Sequence, residues 1–310
     1  MARIFLTGAT GFVGSHVLPD LLGRGHAVTA LARTEKSAAA LRARYPTAAS
    51  ALQVHRGDVA NPTTLTGALR DHDVVVHLVA LARDWSGGAD LDRINVGGTA
   101  ALLDAASRDG VGRFVHLGAM GVEERPSLHY ASSKARAERA VRESGLDHTI
   151  LKPSLMWGAR DGFFNIVAAL VKVPAPIVPV PGDGKSRFQP IWVGDVARAV
   201  AMAIESPRQF SGRSVELGGP RYWTYAEITK EVARALGKRR LVFPMPVPLI
   251  SLVAGLSEAV RLPFPVATDQ LRQLALDNIG ATDAVERELG FAPVDMAGRL
   301  GYLRTKRSRQ

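Results

Sequence analysis

The sequence predicts a doubly wound α/β fold, with a parallel sheet followed by a smaller carboxyl-terminal α/β lobe. Three observations predict it. Short apolar or β-branched runs alternate with helix-patterned stretches from the first residues onward, as βαβ units require. A glycine-rich turn separates the first such run from the first helical stretch. After Pro153 the texture changes to clustered prolines and turn residues, which marks a second lobe.

The elements follow in order. Arg3–Thr7 reads as the first strand, and a helix runs from about Phe12 to Arg24. Strands are expected at Ala27–Ala32, Leu52–Arg56, Asp73–Leu78 and Arg113–Leu117, each an apolar or β-branched run. Helices fall between them near Pro62–Arg70 and Ile94–Asp109. A helix near Leu128–Ser144 precedes a sixth strand at His148–Lys152. Pro174, Pro176, Pro179, Pro181 and the turn Gly182-Asp183-Gly184 then read as loop. A helix at Gly194–Ser206, a strand at Ser214–Leu217 and a helix at Thr224–Leu236 come next. Leu249, Ile250, Leu252, Val253, Leu256 and Val260 have helical spacing within Pro248–Val260 and read as core. The expected division is 1–153 for the sheet domain, which also receives part of 185–220. The second lobe is mainly 154–310, placed over the carboxyl ends of the strands, where open α/β sheets bind ligands.

Composition narrows the function. The 310 residues contain no cysteine, which excludes disulfides, thiolate catalysis and cysteine-ligated metal. Eight scattered histidines without HExxH-type spacing predict no metal site. The amino terminus runs directly into a strand, without a charged-then-apolar leader, so a cytoplasmic protein is expected. The longest apolar stretch, around Met245 to Pro265, is interrupted by Glu258, Arg261 and prolines and is a poor membrane span. The net charge of +10 points to an anionic partner or to a solvated basic surface. Nucleic acid is disfavoured, since basic and aromatic residues are not interleaved. Residues 299–310 carry Arg299, Arg304, Lys306, Arg307 and Arg309 without an acid. They form a solvated tail or a contact with an anionic membrane face.

Thr7-Gly8-Ala9-Thr10-Gly11-Phe12-Val13-Gly14 supplies glycines where a strand must turn tightly into a helix. A pyrophosphate can approach such a backbone closely, and the new helix adds its positive end and free amides. Phe12 and Val13 contribute amides and packing at that start. The turn therefore predicts a Rossmann-type domain that binds a nicotinamide dinucleotide. The second strand ends in Arg33, with Lys36 nearby, instead of the acid that would hold a ribose 2′-hydroxyl. An arginine fork suits a 2′-phosphate, so NADP(H) is expected over NAD(H). Asp58, followed by Val59, either accepts from the adenine amino group or caps a turn.

Tyr130 and Lys134 stand at i and i+4 and share one helix face. A neighbouring ammonium is expected to lower the tyrosine pKa and fit the phenol for proton transfer. With these residues on the page, the chain resembles an extended short-chain dehydrogenase/reductase. Matching pieces are TGATGFVG, GDV at Gly57–Val59, INVGGT at Ile94–Thr99 and YASSK at Tyr130–Lys134. KPS at Lys152–Ser154 and QPIWVGDVARA at Gln189–Ala199 continue the match. The resemblance implies that Gly8, Gly11, Gly14, Tyr130 and Lys134 hold the cofactor and that Ala80 and Pro153 line it. It also implies that Asn95 orders the lysine and a water. The family usually carries a serine or threonine at the end of the fifth strand, and this chain has Gly118 and Ala119 there.

That departure is similar to the atypical branch holding the nucleotide-binding accessory subunit of respiratory complex I and bacterial epimerase/dehydratase-like relatives. The motifs Glu216-Leu217-Gly218-Gly219-Pro220, Thr224–Glu227, Pro244–Pro248 and Asp277-Asn278 extend the likeness. Two functions follow from it. One is an NAD(P)(H)-dependent oxidoreductase or epimerase with Tyr130, Lys134 and Asn95 as catalytic residues. Its substrate would be a nucleotide sugar or a quinone- or isoprenoid-like molecule, the latter favoured if Met156, Trp157, Phe163 and Phe164 are lining, although they read equally well as core. The other is a non-catalytic NADPH-bound structural or assembly protein of a respiratory membrane complex, docked through the basic tail.

Overall fold

The computed structural model describes residues 1–84, 86–125, 127–246, 274 and 276–305. The chain divides into two compact units, Met1–Pro153 with Val193–Glu216, and Ser154–Trp192 with Leu217–Gln310.

The first unit is built on strands β1 (Arg3–Thr7), β2 (Ala27–Ala32), β3 (Leu52–Arg56), β4 (Val74–His77), β5 (Arg113–Leu117) and β6 (Asp147–Pro153). With β11 (Arg213–Leu217) they make a seven-stranded sheet in the order β11-β6-β5-β4-β1-β2-β3. The pairings from β3 across to β6 are parallel. The order reverses direction between β1 and β4, the switch point at which doubly wound sheets leave a crevice. Helix α1 (Gly14–Gly23) follows β1, and α2 (Glu35–Arg44) follows β2. A short helix α3 (Ala89–Leu91), a π-helical turn over Asp92–Gly97 and α4 (Gly98–Arg108) form one continuous rod after β4. Helix α5 (His129–Glu143) follows β5, and α7 (Val193–Glu205) leads through the short helix α8 (Pro207–Phe210) into β11.

Both faces of the sheet are covered, as an all-parallel sheet requires. Phe5, Val75, Phe114 and Ile150 project to one face and pack with Leu102, Ala105 and Ala106 of α4 and Val141 of α5. The alternating neighbours Ile4, Leu6, Val74 and Val76 are equally buried, and α1 and α7 pack on each other. Arg113 is buried at the start of β5. Its Nε donates to the Ala203 carbonyl of α7 (3.1 Å), one terminal nitrogen donates to Thr149 Oγ1 (2.7 Å), and the other pairs with Asp147. One guanidinium thus joins two strands to a helix without leaving its charge unpaired.

The second unit contains β7 (Met156–Trp157), α6 (Phe163–Lys172), β8 (Ile177–Pro181), β9 (Arg187–Phe188), β10 (Ile191–Trp192), β12 (Trp223–Thr224), α9 (Tyr225–Ala235), β13 (Leu241–Met245) and α10 (Ala284–Leu289). Thr224 caps α9 in a reciprocal box with Glu227. The motif residues Ser154, Gln189, Gly219 and Asn278 meet in one buried polar node. Ser154 Oγ donates to Asn278 Oδ1 (2.6 Å), and the Gln189 side chain donates to Gly219 O (2.8 Å) and accepts from Gly280 N (2.9 Å).

Several expectations change. The helix expected at Pro62–Arg70 shrinks to a 3-10 turn at Pro62–Leu65, because Gly67 (φ +68°) and Asp71 (φ +63°) are left-handed. Helix α2 escapes an apolar-period reading because only Ala38 and Leu41 are buried on it. The proline-rich stretch read as loop contains β8, which pairs in parallel with β13. Its prolines are tolerated because the sheet has two strands and each strand is an edge. Trp157 and Phe164 lie in the core of the second unit, the core alternative of the two readings. Leu300 and Leu303 are buried in the same core within a 3-10 helix, so 299–305 is packed chain and not a free tail. Pro248–Val260 and residues 306–310 lie outside the described residues. Among the described residues no helix is long and apolar enough to cross a membrane.

Leu102 is fully buried between α4 and the sheet. Leu102→Ala is expected to lower unfolding stability by about 2–5 kcal/mol in urea titrations of the protein.

Candidate dinucleotide site

The carboxyl ends of β1 to β6 define one edge of the sheet, and the residues singled out in the sequence gather along it. Gly8 leaves β1 with φ +77°, and a Cβ there would stand 3.0 Å from Leu78 C and 3.1 Å from Val79 N at the end of β4. Gly11 N donates to Gly8 O (3.0 Å), closing the turn. Gly14 begins α1 against the strand. A Cβ there would lie 2.2 Å from Gly8 O and 2.6 Å from Ala9 Cα. Phe12 is half-buried and Val13 buried. No side chain caps the amino end of α1, whereas Thr34 caps α2. The first turn of α1 also carries no acid, so its positive end is left for an outside anion. A cradle that tolerates no Cβ at Gly8 or Gly14 and ends in an uncapped helix fits a dinucleotide pyrophosphate.

Arg33 and Lys36 are exposed at the end of β2 and the start of α2. Between them Glu35 faces solvent. Its carboxylate is paired with Arg42 (3.2 Å) and Arg56 (3.9 Å). Arg56 stands beside Ala32 in the β2–β3 register, which brings a further cation to this end of the edge. Asp58 follows β3. Its Oδ1 accepts from Ala60 N (3.0 Å), the turn-capping alternative, and its own N–H donates to Thr64 Oγ1. Val59 is buried against Gly98 of α4. Ala80 is exposed after β4, and Pro153 is buried at the end of β6.

Asn95 sits in the π-helical turn, 2 % exposed. Its Oδ1 accepts from Leu81 N (2.7 Å), and its Nδ2 donates to Leu81 O (3.0 Å) and Ser133 Oγ (3.0 Å). It therefore staples the segment after β4 to α5. No contact to Lys134 is among these bonds. A π-turn in mid-rod is how the backbone aims one side chain at two neighbours.

Lys134 is 2 % exposed on α5, and its Nζ donates to the Leu117 carbonyl (2.6 Å) at the end of β5. Burial lowers its pKa to about 8, with Glu138 acting in the opposite sense. Tyr130 is half-buried one turn earlier. Burial, aided by the Glu138 charge, pushes its pKa up to about 12. The expectation of a lowered tyrosine is thus overturned. The loss of water first, and the carboxylate on the same face second, set the direction, so Tyr130 is a protonated phenol at neutral pH.

Two buried histidines lie behind this face. His77 links Thr7 Oγ1 (2.7 Å) and Thr99 Oγ1 (3.1 Å), and burial lowers its pKa to about 3. His116 stacks beside it with ring centroids 5.4 Å apart, and neither of its nitrogens has a protein partner. Burial first, then the Lys134 charge, holds it neutral. Glu138 is the buried member of this face that sequence reasoning missed. Its spacing of i+4 from Lys134 and i+8 from Tyr130 was the available signal.

A parallel sheet with a glycine-bound pyrophosphate cradle at its switch edge and a Tyr-Lys helix after β5 defines a nicotinamide-dinucleotide-binding protein of the extended short-chain dehydrogenase/reductase kind. A family profile described as NAD(P)H-binding matches residues 8–165, and the chain belongs to that family. It is a distant relative of the complex I 40 kDa subunit and of the nucleotide-sugar epimerases and dehydratases. It is 25% identical over 305 residues to the mitochondrial NADH-ubiquinone oxidoreductase 40 kDa subunit of Neurospora crassa, covering 97% of this chain and 78% of that one. It is 30% identical over 279 residues to the chloroplastic divinyl chlorophyllide a 8-vinyl-reductase of Cucumis sativus, covering 86% and 65%. The fold matches the NAD-bound crystal structure of dTDP-glucose 4,6-dehydratase from Streptomyces venezuelae, with a TM-score of 0.72 at 23% identity over 97% of this chain and 96% of that one.

Two outcomes follow from the geometry. Gly14→Ala forces α1 off the turn and is expected to weaken dinucleotide binding at least about tenfold in calorimetry, a loss near 1.4 kcal/mol. Gly23→Ala, with nothing within 4 Å of the added Cβ, is the control that leaves binding unchanged. For Lys134, a pKa of about 8 in place of 10.5 means that the unfolded chain binds more protons between those values. Stability of the cofactor-free protein should therefore rise on the order of 3 kcal/mol as pH climbs through that window. Lys134→Met should abolish the rise in urea titrations run at each pH.

Proposed function

We propose that the chain is an NADP(H)-dependent oxidoreductase that reduces a small carbonyl-bearing substrate, with Tyr130 giving the proton. The observation that carries the reading is the Tyr130 phenol one turn from a buried lysine on the same helix face. When bound, NADPH supplies a hydride to the substrate carbon. Gly8, Gly11 and Gly14, with the Phe12 and Val13 amides, hold the pyrophosphate. Arg33 and Lys36 take the 2′-phosphate, and Glu35, neutralised by Arg42 and Arg56, does not repel it. Asp58, Val59, Ala80 and Pro153 line the remaining length of the cofactor.

Lys134 anchors to Leu117 O and keeps a positive charge beside the phenol. Tyr130 then moves its proton to the oxygen that becomes an alcohol, and bulk solvent restores it. Asn95 holds the segment carrying Ala80 in place through Leu81. Substrate classes consistent with the relatives are nucleotide sugars and quinone- or isoprenoid-like carbonyls. A second reading, a tightly NADPH-bound structural or assembly protein, is favoured by the absence of a hydroxyl at Gly118 and Ala119. It is also favoured by the respiratory-complex subunit among the relatives.

Mass spectrometry of nucleotide released by denaturing the purified protein, alongside NADPH oxidation with both substrate classes, tests the proposal. NADPH consumption that falls at least about a hundredfold in Tyr130→Phe, a loss near 2.7 kcal/mol of barrier, is the expected result. NADPH released only on denaturation, without turnover, sinks it in favour of the second reading. Arg33→Ala should weaken NADPH binding about tenfold or more and leave NADH binding unchanged. Equal losses for both cofactors would overturn the 2′-phosphate assignment.

A further inference from the structure

At the end of β5 the backbone amides alternate in direction. Gly118 N donates to Leu151 O (2.8 Å) and Met120 N to Pro153 O (3.0 Å), both on β6. The amide between them, Ala119 N, points the other way and reaches Glu138 Oε1 on α5 (3.1 Å). A buried amide needs an acceptor, and Glu138 supplies it from a position 1 % exposed. Two residues earlier, the Leu117 carbonyl is taken by Lys134. Successive turns of one helix face therefore grip a C=O and an N–H at the strand end, and Tyr130 is the third member of that face.

We propose that Glu138 is the positioning residue that fixes the end of β5 against Tyr130 and Lys134, and that its carboxylate takes the space a side chain at position 118 would fill. The proposal rests on reading Tyr130 and Lys134 as part of the dinucleotide site. A Cβ on Gly118 would stand 2.4 Å from Glu138 Oε1, 3.0 Å from its Cδ and 3.0 Å from Ile150 Cγ2. The carboxylate can swing away from an added group only by releasing Ala119 N–H. Gly118 and Glu138 are thus one device, and the missing hydroxyl at 118 is the consequence of the acid at 138. The second oxygen meets Arg142 (3.2 Å) and Lys152 (3.6 Å), which offsets the cost of burying the charge. The same anion adds to the effect of burial at Tyr130 and opposes it at Lys134, which agrees with its placement on their face.

The test separates reach from charge. Glu138→Asp keeps the charge and withdraws the oxygen by one methylene, while Glu138→Gln keeps an acceptor at full reach. Glu138→Asp is expected to weaken NADPH binding at least about tenfold, and Glu138→Gln to stay within about twofold of the parent. Gly118→Ala should be costly in the parent and tolerated in Glu138→Asp, in NADPH affinity and in urea unfolding alike. Without cofactor, Glu138→Gln should lower the pH at which Tyr130 ionises, read as the tyrosinate absorbance absent from Tyr130→Phe. A Glu138 carboxylate turned away from Tyr130 would leave that shift at zero.

Equal losses in Glu138→Asp and Glu138→Gln, equal costs of Gly118→Ala in both backgrounds, or an unmoved Tyr130 titration would overturn the proposal. If the parent binds no NADP(H), the dinucleotide reading fails, while the tyrosine titration and the unfolding cycle still judge Glu138.

Discussion

The close approach of α1 to the end of β1 is the constraint on which the first unit depends. Gly14 starts the helix so near the strand turn that Gly8 O occupies the volume of a Cβ, and Gly8 in turn lies against the backbone at the end of β4. Three backbones meet there without side chains between them. That contact sets the height of the whole edge, because β1 and β4 flank the switch point and each pairs onward across the sheet. It also aims an uncapped helix end at the crevice. Conformational freedom at Gly8 and absence of bulk at Gly14 are separate demands, and the spacing GxxGxxG meets both.

The electrostatics of the edge follow from dryness more than from pairing. Glu138 shares the face of Tyr130 and Lys134, His77 and His116 lie behind it, and all three are nearly free of water. In such surroundings each group moves toward its neutral form unless a partner is placed for it. The histidines are neutral, the lysine is depressed, and the tyrosine keeps its proton. Glu138 is the one with a backbone amide and two cations in reach. A tyrosine and lysine four residues apart do not by themselves make a phenolate. The sign of the shift depends on what else shares the helix face.

Much of this was legible in the sequence because it depends on local pattern. The seven strands that build the first sheet, the glycine turn and the Tyr-Lys helix are short-range signals whose periods or spacings survive any packing. What was not legible depends on long-range partners. Helix α2 buries two residues of ten, so its apolar stripe was too thin to read. Strand β8 carries prolines that a sequence reading assigns to loop, and only the edge position opposite β13 makes them acceptable. Phe164 and Trp157 read as candidate lining, since an apolar run does not tell a cavity wall from a core. Glu138 was visible as a spacing, but its meaning depends on which strand amide turns toward it.

The family motifs in the second unit make the same point about what a matching residue signifies. Ser154, Gln189, Gly218, Gly219 and Asn278 come from four separate stretches and converge on one polar node. A Cβ on Gly218 would lie 2.3 Å from the Gln189 amide carbon, and one on Gly219 would lie 2.0 Å from Pro190 O. Those glycines are required by the glutamine and the chain beside it, independent of any ligand. Their presence in this chain is therefore explained by how this unit closes, which is an argument about fold. The evidence about chemistry is confined to the edge of the first sheet. There Gly118 and Ala119 depart from the pattern while Tyr130, Lys134 and Asn95 keep it. A buried acid at 138 reconciles the two, since it leaves no room for a side chain at 118 and still ties the strand end to the helix that carries the tyrosine.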